Sequence, residues 1–470
     1  MHAKHAMRPC RTSEPPRRRD PASQARDTEM DGWQTGGGPR SGGAMRPSLA
    51  VRLGEWLVIL VLLTSFYVKS AQGQDQPTPY DMLMVGTVGL LFLFGLRLPR
   101  GLGWPAALFG LVVIGFGIGA MNAIYMDRVR PALTVTLYLI GTFFFFTAFV
   151  YADPARRMMQ IFWAYTLAAC IAAALGVGGY FGVLPGSETF LQFGRATGTF
   201  NDPNVFGAFL VAPILFLGWQ LSRAQSLRSM WMAAPLGLLV LAILLSFSRG
   251  AWGSLLLSGL IFFVATLATS HSPRQTFRLI GFGALAAFVV VCVVGVALST
   301  PKVSALFAER ASLVQDYDTD PQSGRFESQV RAFHMALEKP LGIGPAQWAM
   351  INKLDTHNVY LHVLVSGGFL SGLAFIAIML ITLVRGWCGI MTGDAIAGQG
   401  QGMLIVAYAA FAGHIAEAVI IDIDNWRHFY LLLGLIWGAL LAAEVAPAPR
   451  RAVQRPRPGT PALGEPLGDF

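Results

Sequence analysis

Apolar blocks dominate this chain from Ala50 to Ala443, and many of them reach the roughly 18 to 20 residues that a helix needs to cross hydrocarbon. Short connections containing arginine and proline separate them. A bilayer core offers no water to backbone N–H and C=O groups, so only helices, or barrels that close on themselves, can satisfy those groups there. Hydrophobic residues make up 54% of the chain and charged residues 13%, against about a quarter charged in a soluble domain. The pattern argues against a water-soluble fold and predicts an all-α integral membrane protein.

The blocks and their breakers predict helices over 50–68, 81–96, 104–125, 131–151, 158–179, 203–221, 232–247, 250–268, 279–298, 357–384, 403–421 and 426–443, about twelve transmembrane helices in all. Arg97 and Arg100, Arg156 and Arg157, Arg223 and Arg228, Arg274 and Arg278, and Arg385 fall in alternate connections, and the tail from Arg450 continues the series. Since basic residues favour the cytoplasmic side, both termini are expected in the cytoplasm of a bacterial inner-membrane protein. The segments 181–202, 248–250 and 299–356 then face the periplasm.

Residues 1–47 carry Arg17, Arg18, Arg19 and a glycine run without apolar period, which predicts a disordered cytoplasmic extension and not a signal peptide. Met45 offers an alternative start that would make the first 44 residues dispensable. A polytopic membrane domain is expected over 48–444, with the periplasmic loop 299–356, followed by a disordered basic cytoplasmic tail over 445–470. The net charge of +9 sits in tails and loops, where it reads as topology and contact with membrane lipids, and no basic and aromatic stripe of the nucleic-acid kind is present. Cys10, Cys170, Cys292 and Cys388 form no disulfide framework or metal motif.

The candidate chemistry lies in the expected periplasmic segments. Gly194-Arg195-Ala196-Thr197-Gly198-Thr199-Phe200-Asn201-Asp202-Pro203-Asn204 enters a membrane helix; it reads either as a well-capped helix start or as an anion site of glycine amides, helix N-terminus and Arg195. Arg249, between Ser248 and Gly250, either snorkels to headgroups or is aimed by a sharp turn at a cavity. In the long loop, Asp316, Asp318, Asp320 and Glu327 match calcium-loop spacing, but Pro321 stands where that loop needs glycine, so a solvated linker with Asp320 capping a helix explains them more simply. Phe326, Val330, Phe333 and Leu337 form one helical stripe ended by Pro340, which predicts an amphipathic helix on the outer membrane surface or over a cavity. Arg325 near its start is unfavourable for the helix dipole and calls for a partner anion. His357, beside Asn358, opens a span as either a capping residue or a catalyst. His414 and Glu417 lie three residues apart inside an apolar span, as a functional pair or a pair that fixes helix packing.

The run Gly198 to Asn204, the Ser248-Arg249-Gly250 break, the Arg325 helix followed by Pro340-Leu341-Gly342-Ile343-Gly344, and His357-Asn358 followed by Gly367-Gly368 together resemble the O-antigen ligase and polymerase superfamily of envelope glycosyltransferases. The resemblance implies a helical membrane bundle with a periplasmic loop over the active cavity. It also implies transfer of a glycan from undecaprenyl diphosphate to an acceptor hydroxyl, on lipid A core, on a growing polysaccharide or on a protein serine, without metal or other cofactor. On that reading His357, Arg249 and Arg325 are catalytic and Arg195, Asn204 and Asn358 bind substrate, while His414 and Glu417, whose span ends on the side of the site, are expected to support them from behind. Arginines suit a diphosphate leaving group and an imidazole suits the acceptor's proton. A lipid-linked glycan flippase or other transporter is the alternative from another class, although internal repeats and midplane charges, its usual marks, are not evident.

Overall fold

The computed structural model describes residues 49–65, 79–93, 95–224, 227–270, 272–311, 324–392 and 399–445. The N- and C-terminal extensions, the acids Asp316, Asp318 and Asp320, and Pro321 lie outside the described residues. Every expected span coincides with a helix: α1 (Leu49–Ser65), α2 (Pro79–Leu93), α3 (Gly103–Ala120), α4 (Met126–Ala152), α5 (Pro154–Tyr180), α6 (Pro203–Arg223), α7 (Ala233–Leu245), α8 (Arg249–Ala268) and α9 (Pro273–Leu298) precede the long loop. The loop contributes α10 (Pro301–Ala311), α11 (Arg325–Glu338) and α12 (Trp348–Asn352), and α13 (Val359–Thr392), α14 (Gln399–Glu417) and α15 (Arg427–Val445) complete the bundle. Among the described residues, 7 helices are long and apolar enough to cross a membrane, and shorter apolar helices run over 53–63, 81–93 and 230–245. The fold is that of an all-α integral membrane protein.

Lipid tails are as apolar as leucine, so helices in a membrane associate by close packing at small residues more than by a hydrophobic drive. Three crossings show this. A Cβ on Gly115 of α3 would lie 2.2 Å from Ser371 Oγ of α13, and one on Gly413 of α14 would lie 2.0 Å from Ser258 Oγ of α8. On α15, Gly434 and Gly438 would meet Phe146 Cβ at 2.7 Å and the Thr147 carbonyl at 2.8 Å on α4. These glycines are what let the three helix pairs approach.

α13 is broken at Gly368, whose φ of 69° and ψ of −171° interrupt the helix. The loop after α11 repairs the break. Ile343 and Gly344 donate their N–H groups to the carbonyls of Val365 and Ser366 (2.9 and 3.0 Å), and the Phe369 N–H reaches the Pro340 carbonyl (3.0 Å). Backbone freed at membrane depth is tolerated when protein takes up its hydrogen bonds, as here. The amphipathic α11 packs Ser328, Ala332 and Ala336 inward, while Phe326, Val330, Phe333 and Leu337 are each about half exposed, as their spacing predicts.

Candidate active site

A cavity of about 420 Å³ opens at one end of the bundle, where α4, α6, α8, α11 and α13 begin and α14 ends. Arg325, His357, Asn204 and Glu417 line it, with Ser248 and Gly250 from the α7–α8 break. Residues from 116 to 426 in sequence therefore meet around one space, as a helical bundle permits when its helices end at a common level.

His357 occupies an unusual backbone conformation, φ 48°. A non-glycine residue there is strained by about 1–3 kcal/mol and persists only where its surroundings over-determine it. Asp422, in the turn between α14 and α15, supplies that constraint. One of its oxygens accepts from the Thr356 hydroxyl (2.8 Å) and the Asn358 N–H (2.9 Å), and the other accepts from the His357 N–H (3.0 Å). Gln329 of α11 donates to the His357 carbonyl (3.0 Å). His357 is thus held at both its N–H and its carbonyl, with Asp422 also gripping the residue on either side, and the Asn358 side chain caps α13, its Oδ1 accepting from the N–H groups of Tyr360 (3.1 Å) and Leu361 (3.2 Å).

The arginines divide. Arg325 opens α11, with Gly324 as an N-cap that lacks a side chain, and faces the cavity. Arg249 is half-buried at the first position of α8, between two lining residues, with Ser248 capping the helix by accepting from the Ala251 N–H (3.2 Å). Arg195 stands one layer back. It lies on a two-stranded ribbon, Leu191–Gln192 paired antiparallel with Arg195–Ala196, whose turn residues Phe193 and Gly194 both have positive φ. Two consecutive positive φ values match the twist of a tight hairpin. From there Arg195 Nε donates to the Ser246 carbonyl (2.8 Å) and Nη2 to Asn204 Oδ1 (2.8 Å), so it ties α7 to the start of α6 and fixes Asn204 on the wall. Asp202 caps α6 by accepting from the Asn204 N–H (2.6 Å), with Pro203 at its first turn.

His414 and Glu417 form the deepest polar pair, at 3.6 Å between Nδ1 and Oε2. His414 also faces Ser254 Oγ on α8 (3.3 Å) and packs edge-on against His428 and Trp426. Glu417, expected behind the site, is itself on the cavity wall. Sequence reasoning passed over Asp422, Gln329, Ser254 and His428, and also the cavity pair His362–Asp424, 3.6 Å apart. The signal that was available is the run Asp422-Ile423-Asp424-Asn425: two acids in a short turn between two apolar spans, on the side opposite the arginine-rich connections.

Residues 234–376 match the family model described as O-antigen ligase. The match runs from α7 past the Gly368 break and takes in Arg249, Arg325, His357 and Asn358, whereas Arg195, Asn204, His414 and Glu417 lie outside it. No curated protein matches the chain. Four separated motifs meet at one cavity, and the segment carrying three of them, residues 234–376, is similar to the O-antigen ligase family.

Proposed function

We propose that the cavity transfers a glycan from undecaprenyl diphosphate to an acceptor hydroxyl at the periplasmic face of the bacterial inner membrane. The observation that carries this reading is the convergence of Arg325 and a clamped His357 on one cavity. Diphosphate departs without being protonated, so its developing charge needs fixed cations. Arg325 on the wall and Arg249 at the α7–α8 break supply planar guanidinium groups suited to two-point contact with phosphate oxygens. The acceptor oxygen attacks the anomeric carbon as its proton passes to the His357 imidazole; the new C–O bond forms while the bond to diphosphate breaks on the opposite face, which inverts the configuration. Arg195 serves by holding Asn204 toward the substrate, and His414 stands behind Glu417. Lipid A core is the acceptor in a ligase, and a growing polysaccharide or a protein serine in the related activities.

The test is glycan transfer in membranes from an undecaprenyl diphosphate-linked donor, with chelator present and nucleotide sugar absent. Arg325→Ala should abolish transfer and weaken donor binding, and Arg325→Lys should rescue poorly because an ammonium cannot reproduce the planar contact. Normal transfer by the variant, with failed movement of donor across the membrane, would establish a transporter instead. A requirement for divalent cation would remove the role given to the arginines. Cysteine at Ser304 should react with an impermeant reagent in intact spheroplasts, and protection there would invert the topology.

A further inference from the structure

Glu417 is built differently from the other acids at the cavity. Its side chain is 1% exposed, yet it lies on the cavity wall. Both carboxyl oxygens are buried without a hydrogen-bond donor among the described residues. His414 Nδ1 is 3.6 Å away, beyond hydrogen-bond length, and that nitrogen also faces Ser254 Oγ. The bundle makes room for this carboxyl group on purpose-sized backbone: a Cβ on Gly250 would sit 3.0 Å from Glu417 Oε1, and Gly413 brings α14 against α8 directly beside it.

A buried acceptor left unbonded costs about 1–3 kcal/mol, and more if it is charged. Such a group at a cavity wall takes its donor from the cavity, water when the cavity is empty and a ligand hydroxyl or amide when it is filled. The donor must also suit the adjoining surface, where Ile420, Ile421 and Trp426 are apolar. A sugar ring meets both demands, since its hydroxyls donate and its C–H faces are apolar. A diphosphate meets neither, because an anion beside a carboxyl group finds no donor and gains repulsion.

We propose that Glu417 is a sugar subsite, accepting a hydrogen bond from a hydroxyl of the lipid-linked glycan while the diphosphate lies toward Arg325. This rests on the glycosyl-transfer reading above and adds to it the group that recognises the sugar. His414 is a positioning residue that steers the carboxyl group through their contact.

The full chain in lipid nanodiscs should be titrated with two probes, undecaprenyl diphosphate alone and the undecaprenyl diphosphate-linked glycan purified from the host's own membranes. Glu417→Ala should weaken binding of the glycan-bearing lipid by about 10- to 100-fold, the range for a lost hydrogen bond to a charged group, and leave the bare lipid unchanged. Glu417→Gln, which keeps the shape and one acceptor oxygen, should lose less and melt like the parent protein. Equal weakening for both lipids, or no weakening by either variant, would overturn the subsite while leaving glycosyl transfer in place. Failure of the parent chain to bind either lipid would overturn the transfer reading and the subsite with it.

Discussion

The two ends of the bundle use charge in opposite ways. At the end away from the cavity, charged groups pair with one another: Glu55 of α1 is buried between Arg156 (2.5 Å) and Arg157 (3.7 Å) of α5, and Arg385 of α13 meets Glu444 of α15. Arg157 is closed in further by the Phe149 carbonyl, to which its Nη1 donates (2.6 Å), and by the Phe149 ring. At the cavity end, Asp422 holds backbone amides, both Glu417 carboxyl oxygens lack a hydrogen-bond donor among the described residues, and Arg325 lines the cavity. One end uses its charges to pair helices, whereas the other gathers its charged groups around a single cavity, where the pairs His362–Asp424 and His414–Glu417 also stand. The ion pair Asp81–Arg427, bidentate at 2.7 and 2.6 Å, is an exception that fastens α2 to the start of α15 beside the cavity.

The comparison breaks first at His357. His357→Ala should slow transfer by about 100- to 10,000-fold, the range for loss of general-base assistance, with binding of the lipid-linked glycan largely intact. Kinetics that place the whole loss in donor affinity would show that the imidazole binds and does not take the proton.

Asp422→Ala tests whether the strained turn matters. Removing the carboxyl group leaves the Thr356 hydroxyl and two amides without their acceptor and frees His357 to leave its positive-φ conformation. A misplacement of about 1 Å costs on the order of 100-fold in rate, so transfer should fall by about that factor while donor affinity holds. A rate equal to the parent's would mean that Gln329 alone suffices to place the imidazole.

Gly368→Ala comes next, because it attacks the frame and not the chemistry. Its Cβ would lie 2.3 Å from the Pro340 carbonyl, at a φ that side chains resist. The substitution should lower the melting temperature, at a cost of about 1–3 kcal/mol from the backbone conformation alone, and reduce transfer through displacement of the loop that carries α11 and Arg325. A variant that melts early but transfers normally once folded would uncouple that loop from the site.

The helices were legible because their cause is local: a run of apolar residues long enough to span hydrocarbon needs no partner to declare itself. The break at Arg249 was legible as a motif, but the one at Gly368 was not: 357–384 reads as one continuous span with Gly367-Gly368 inside it, and the reason for the break, the Pro340 carbonyl pressed against Gly368, is a tertiary contact. What could not be read depends on distance along the chain. Asp422 is more than 60 residues from the amides it holds, and Asp81 is 346 residues from Arg427. The ribbon carrying Arg195 has strands of two residues each, too short to show an alternating pattern. Arg195, Asn358 and Glu417 were legible as polar residues near the site, but which one faces the cavity follows from partners that the sequence leaves unspecified: Asn204 and Ser246 for Arg195, and the α13 amides for Asn358.

The smallest effect on transfer is expected where the charges are already paired. Glu55→Gln removes the anion from Arg157, which is 3% exposed and cannot reach water without moving α1 or α5. Breaking a buried ion pair by deleting one partner costs about 3–5 kcal/mol, because the remaining charge stays desolvated; the Phe149 carbonyl and ring soften that cost here. Glu55→Gln should therefore melt several degrees below the parent protein, while the rate of transfer per folded molecule and the affinity for lipid-linked glycan stay unchanged. Replacing both partners, Glu55→Leu with Arg157→Leu, should restore much of the lost stability, since apolar side chains of similar volume often substitute for a buried pair without loss. If Glu55→Gln instead slowed transfer as strongly as Asp422→Ala at equal folded amount, the two ends would be coupled through α4 and α5, and the division between a pairing end and a receiving end would fail.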